Sequence, residues 1–227
     1  MKLFWTVVTT LGVTLALVPA AAHAQNFDLQ PAITDAQFKE LAGEVGSVLR
    51  FRQLGDPAPL GKGKVDVGLQ FANTPFEDAT PRVVGRFGVT DRVDVGAWGG
   101  FNTGANWGLA GIDTNVALLR QGPGRPVTVS LRPSLTSLIG PSDVWVGNAS
   151  IDVSVTRAIG NFSPYGGVAT TASAAIERSK DVDLDPAVTE GSLAYAGVSY
   201  RWRALVASAE VEKGTFVSYG FRLGTRF

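Results

Sequence analysis

From residue 64 to the end of the chain, apolar and polar residues alternate with a period of two. In KVDVGLQF (64–71) Val65, Val67, Leu69 and Phe71 share one face, and Lys64, Asp66, Gly68 and Gln70 the other. RVDVGAWGGF (92–101) and WVGNASIDVSVTR (145–157) repeat the design. Successive side chains point to opposite sides of a strand, so each segment has one apolar and one polar face, whereas a helix needs a spacing near 3.6. The pattern predicts ten strands, at about 64–72, 82–89, 92–101, 107–120, 126–138, 144–157, 162–176, 191–202, 204–212 and 215–227. Pro133 and Pro164 fall inside two of them. Proline cannot donate to a ladder, so bulges are expected there.

Ahead of the strands the pattern changes. Met1-Lys2, an apolar run from Leu3 to Val18 and small residues at Ala22 and Ala24 describe a signal peptide cleaved after Ala24. The run is short for a spanning helix. Thr34, Asp35, Ala36 and Gln37 have capping-box spacing, and Phe38, Leu41, Ala42 and Val45 follow at helical intervals, with Gly46 expected to stop the helix. An alternating piece (47–54) and a turn-rich linker, GDPAPLGKG (55–63), lead to the first strand. The organisation is therefore a signal peptide (1–24), an N-terminal helix and linker (25–62) and a strand domain (63–227). Two placements of the helix segment are open: a plug inside the strands, with Arg50 and Arg52 near Asp66, Asp94 or Asp152, or a helix packed beneath their mouth in the periplasm. Limited room inside ten strands favours the second.

The predicted connections at 90–91, 121–126, 158–161 and 203 are short, and those at 73–81, 102–106, 139–143 and 177–190 are mostly longer, with 213–214 the exception. This alternation and an even strand count fit an all-β, closed antiparallel transmembrane β-barrel. The polar faces carry Gly, Ser, Asn, Asp and Arg, which suit a lumen, while the opposite faces rarely carry a charge. Charges facing lipid are costly near the midplane. Phe162, Tyr200, Trp202, Tyr219 and Phe227 stand near strand ends, where aromatic girdles form. A secreted sandwich with an aliphatic core explains these faces less well.

The chain ends in TFVSYGFRLGTRF. A terminal Phe227 with Leu223, Phe221 and Tyr219 at alternate positions upstream resembles the C-terminal signal of bacterial outer-membrane β-barrel proteins; Thr225 departs from the usual large apolar choice. The resemblance implies a Gram-negative outer membrane as destination. It implies periplasmic chaperones and the barrel-assembly machinery as partners in biogenesis, and outer-membrane lipid and lipopolysaccharide as surroundings. The last strand would close the barrel against the first.

Chemistry is constrained by what is missing. The chain has no Cys, and its one His, His23, lies in the signal peptide. The outer-membrane lipase, deacylase, palmitoyl transferase and protease families use a His, so an enzyme is not expected, nor a cofactor. A net charge of zero gives no reason for a nucleic-acid partner. The lumen carboxylates Asp66, Asp94, Asp113, Asp152, Glu210 and Glu212 face Arg82, Arg86, Arg132, Arg222 and Arg226. They read as a structural ion-pair network rather than an acid/base pair. Asp181, Asp183 and Asp185 have calcium-loop spacing, but Pro186 replaces the turn glycine and Ser192 the closing Glu, so no metal is expected. Bridging of divalent cations to lipopolysaccharide, aided by Arg178 and Lys180, is a weaker reading. Two functions remain: a narrow passive pore or uptake channel with an Arg/Asp-lined lumen, and a closed structural or surface-interaction barrel. Inward-facing Trp98, Tyr165, Leu193 and Tyr195 favour occlusion; Gly and Ser positions leave space. The pore is the preferred expectation.

Overall fold

A computed structural model describes residues 34–50, 54–74, 77–102, 107–179 and 184–227. The signal peptide, Arg52, Lys180, Asp181 and Asp183 lie outside these. One helix, α1 (Asp35–Leu49), precedes ten strands: β1 (Val65–Thr74), β2 (Glu77–Gly88), β3 (Val93–Asn102), β4 (Trp107–Leu119), β5 (Thr128–Ile139), β6 (Val144–Thr156), β7 (Phe162–Glu177), β8 (Ala187–Trp202), β9 (Leu205–Lys213) and β10 (Val217–Arg226). Each strand pairs antiparallel with its sequence neighbours, and β1 pairs with β10, closing the barrel. At the seam Asp66 stands opposite Arg226, Leu69 opposite Leu223 and Phe71 opposite Phe221. Reciprocal backbone hydrogen bonds join Val65 and Phe227 at 3.1 and 2.8 Å.

The faces are inverted relative to a water-soluble core. Leu69, Ile112, Leu135, Ile151, Val168, Val188, Leu223 and the girdle aromatics Phe162, Trp202, Tyr219 and Phe227 are exposed on the outside. The buried face carries Asp66, Gln70, Arg82, Asp94, Asp113, Asn115, Arg132, Ser134, Asn148, Asp152 and Arg222. No helix among the described residues is long and apolar enough to cross a membrane; crossing by strands is the separate case that this inverted barrel fits.

Neither proline forms a bulge. The β4–β5 ladder skips the two positions opposite Pro133 and Arg132, between Asp113↔Ser134 and Val116↔Leu131, and resumes in register. Pro164 accepts a backbone hydrogen bond from Arg157 at 3.2 Å, one residue past the end of β6. Its missing donor therefore faces the end of a ladder, where nothing is lost. The register shifts lie at Ala72/Thr74 and Ala117/Leu119. The contrast between short turns and long loops is also weaker than the sequence suggests. Strands β2 and β8 begin earlier than expected, at Glu77 and Ala187, and absorb much of two loops. The end carrying Lys64, Phe227 and the β2–β3, β4–β5, β6–β7 and β8–β9 connections is called the turn end below, and its opposite the loop end.

Candidate functional site

The residues that fill the barrel come from the chain ahead of it. Thr34 caps α1: its Oγ1 accepts from the Gln37 N–H at 3.4 Å, and its own N–H donates to Gln37 Oε1 at 3.0 Å. Phe38, Ala42, Val48 and Leu49 lie on one face of α1 and pack into a cluster with Val84, Trp98, Trp107, Leu109, Leu138, Val144 and Val146 of the wall. Full burial of a side chain such as Phe38 or Leu49 is worth about 1.5–3 kcal/mol. The helix therefore lies inside the lumen, not beneath its mouth. Room for it comes from small wall residues beside it, among them Ser173, Ala175 and Ala187. Gly46 does not stop the helix. It is an interior position where a Cβ would collide with Ser173, and the helix ends at Arg50, whose N–H reaches the Gly46 carbonyl at 3.1 Å.

The contacts of this segment, hereafter the strap (34–50 and 54–60), run in order down the barrel. At the loop end the Asp35 carboxylate accepts from the Asp185 N–H at 3.2 Å. Gly43 approaches Thr189, and the Gly46 carbonyl accepts from Asn148 at 3.3 Å. Arg82 donates to the carbonyls of Val48 at 2.6 Å and Arg50 at 3.0 Å, while the Arg50 guanidinium pairs with Glu212 rather than with an Asp. Leu54, buried over Gly220, donates its N–H to Glu210 at 3.1 Å. The Pro57 carbonyl accepts from Asn115 at 3.1 Å and Ser130 at 2.9 Å. The Leu60 N–H donates to Asp94 at 3.1 Å. Gly61 and Gly63, at φ of 91° and 77°, then turn the chain through the left-handed region that glycine adopts without strain, and it enters β1 at the turn end.

Around the strap the wall charges are engaged. Asp66 pairs with Arg222 and with Arg226 at 3.0 Å. Asp113 pairs with Arg86 at 2.6 Å and Arg132 at 3.3 Å. Arg132 stands directly opposite Asp152, which accepts from the Tyr195 hydroxyl at 2.7 Å. Glu212 also accepts from Ser218 at 3.0 Å. Tyr165 faces Gly197 and Tyr195 faces Gly167 across the β7–β8 ladder, so each ring lies over the glycine opposite and fills that side of the lumen. Among the described residues, one interior cavity of about 10 Å³ lies between strap and wall, lined by Gly55, Asp56, Leu60, Asp66, Arg86 and Arg222 among others, room for about one water. Among the described residues no cluster of His, Cys, Asp or Glu has the arrangement of a metal site. The C-terminal residues Tyr219, Phe221, Leu223 and Phe227 all face outward.

The strap-holding residues Asn115, Ser130 and Asn148, and the apolar seat at the loop end, are not among the positions singled out by sequence. A signal existed: the inward face is polar near the turn end of β4, β5 and β6 but turns apolar at Trp107, Leu109, Leu138, Val144 and Val146.

No protein-family profile and no curated sequence matches the chain. Solved structures similar to it are barrels. The N-terminal β-barrel domain of Pseudomonas aeruginosa OprF is 14% identical, with 74% of this chain and 99% of that one covered and a TM-score of 0.38. The KdgM porin bound to disordered oligogalacturonate is 8% identical, with 72% and 98% covered and a TM-score of 0.38. The outer membrane protein OprG from Pseudomonas aeruginosa is 11% identical, with 74% and 99% covered and a TM-score of 0.33. At these scores the likeness extends to no residue-level correspondence. The apolar exterior, polar interior and closed ten-strand order carry the conclusion themselves: the chain folds as an outer-membrane-type β-barrel with its own N-terminal segment inside.

Proposed function

We propose that this chain is a bacterial outer-membrane barrel that is closed at rest by its own strap, and that solutes cross it only when the strap leaves. The observation that carries this reading is the occupied lumen. Wall side chains hold strap backbone groups from the Asn148–Gly46 contact to the Asp94–Leu60 contact, and Phe38, Val48 and Leu49 pack against the wall's apolar seat. This occupancy supports a route that is closed at rest over one that stands open. A displaced strap would uncover a lumen lined by Arg82, Arg86, Arg132, Arg222 and Arg226 together with six carboxylates, the setting of a narrow, charge-sensitive uptake route. The same carboxylates argue against catalysis. Asp66, Asp94, Asp113, Asp152, Glu210 and Glu212 are all held by Arg, Tyr, Ser or strap N–H groups, as structural pairing requires.

The second reading is a permanently closed structural or surface-interaction barrel, favoured by the strap's attachment along the whole lumen. Conductance in planar bilayers separates the two. The refolded mature chain and a variant lacking 25–61 are compared, with folding of each checked by the gel shift between heated and unheated samples. Steps in the truncated protein and rare openings in the full chain support the gated route. Silence in both, from folded barrels, leaves the closed barrel.

A further inference from the structure

We infer that the strap enters the lumen from outside the cell, so that the first turn of α1 is displayed on the outer surface. The inference rests on the outer-membrane reading, in which the turn end faces the periplasm and the loop end faces outward. The order of strap contacts fixes its direction. Asp35 meets Asp185 in the β7–β8 loop, Gly43 meets Thr189 near the start of β8, and Leu60 meets Asp94 near the start of β3 at the turn end. Residues 34–50 and then 54–60 thus run from loop end to turn end, the chain reverses at 61–64, and β1 climbs back.

The described chain therefore crosses the barrel's height eleven times, once through the lumen and ten times in the wall. Its two ends lie on opposite sides of the membrane. Thr34, Asp35, Ala36, Gln37, Lys39 and Glu40 are exposed, a polar and charged turn beside the β7–β8 loop. The inner end of the strap is continuous with β1, so release can begin only at the outer end. A trigger that opens the lumen acts from the cell exterior, on this turn.

The absence of Cys makes the test clean. Three single-cysteine variants, Lys39→Cys in α1, Ser142→Cys in the β5–β6 loop and Ala158→Cys in the β6–β7 turn, replace exposed residues. Each is expressed in a Gram-negative host, checked for heat-modifiable migration, and treated in intact cells with a membrane-impermeant maleimide. Labelling at 39 and 142 in intact cells, and at 158 only after the outer membrane is permeabilised, is the expected result. Labelling at 142 from outside, with 39 reached only after permeabilisation, overturns the inference and leaves the outer-membrane reading standing. Labelling at 158 but not 142 from outside overturns the orientation and the inference together. No labelling of any variant in intact cells, with all three labelled after permeabilisation, removes the outer-membrane reading.

Discussion

The Asp94 carboxylate receives the Leu60 N–H at 3.1 Å on both of its oxygens, deep in the turn end of the barrel. It also lies 3.4 Å from the Asn115 amide, which bonds the Pro57 carbonyl in turn. Replacing Asp94 by Ala leaves a buried N–H without its acceptor, a cost of about 1–3 kcal/mol. The expected outcomes are faster amide exchange at Leu60 and a lower temperature for loss of the folded gel band. Asp94→Asn keeps an acceptor oxygen and loses less. Equal behaviour of both variants and the parent would mean that this contact does not hold the strap.

A cross-link tests the helix position directly. A Cβ placed on Gly43 lies 4.0 Å from the Thr189 Cβ, within the range that a disulfide spans. Gly43→Cys combined with Thr189→Cys is expected to oxidise without loss of the folded band. In bilayers the oxidised protein should be silent, and addition of reductant should restore the openings of the parent. Cysteines that stay reduced in the folded protein would place α1 elsewhere.

At the seam, Asp66 of β1 holds Arg222 and Arg226 of β10. Removing one partner of a buried pair typically costs about 3–5 kcal/mol, because the remaining charge stays buried. Asp66→Ala should therefore sharply reduce the fraction refolding to a closed barrel. Asp66→Leu together with Arg222→Met should recover part of it. A single variant that refolds as well as the parent would assign closure to the backbone ladder alone.

On the outer wall Ile112 and Leu135 face each other across the β4–β5 ladder, 60% and 57% exposed. In lipid, an Arg at such a mid-strand position costs about 2–4 kcal/mol. On a water-facing surface the same change stays within about 0.5 kcal/mol. Leu135→Arg should lower the refolded yield into vesicles and the melting temperature of the folded band. An unaffected variant would contradict a lipid-facing wall.

The strands were legible because alternation is a local property: each of the ten segments carries its own inward and outward face, and β4 and β6 were bounded to within a residue. Asp66 with Arg222 and Arg226 was legible too, since neighbouring strands bring their polar faces together by topology alone. The strap was harder to place, because its position depends on how inward residues change along the barrel's height. Val144 and Val146 share a face with Asn148, Ser150 and Asp152, and only their level marks them as a seat for Phe38 and Leu49. Glu212 and Arg50 are far apart in sequence, and no periodicity links them. The expected bulges failed for a similar reason. Pro164 faces the end of a ladder, and at Pro133 the β4–β5 ladder lapses and resumes in register; both outcomes depend on the neighbouring strand and not on the proline's own segment.

Among the described strands, β1 and β10 are the one hydrogen-bonded pair not consecutive in sequence. With the strap inside, this ring has its own leader drawn through it. Hydrogen bonds, not covalent bonds, close the ring, so it can form around the leader and need not be threaded afterwards. Enclosing α1 before β10 zips against β1 spares that threading. A barrel that zipped first would start as the strap-free form, with the same strands and an empty lumen, and would close only as α1 entered it.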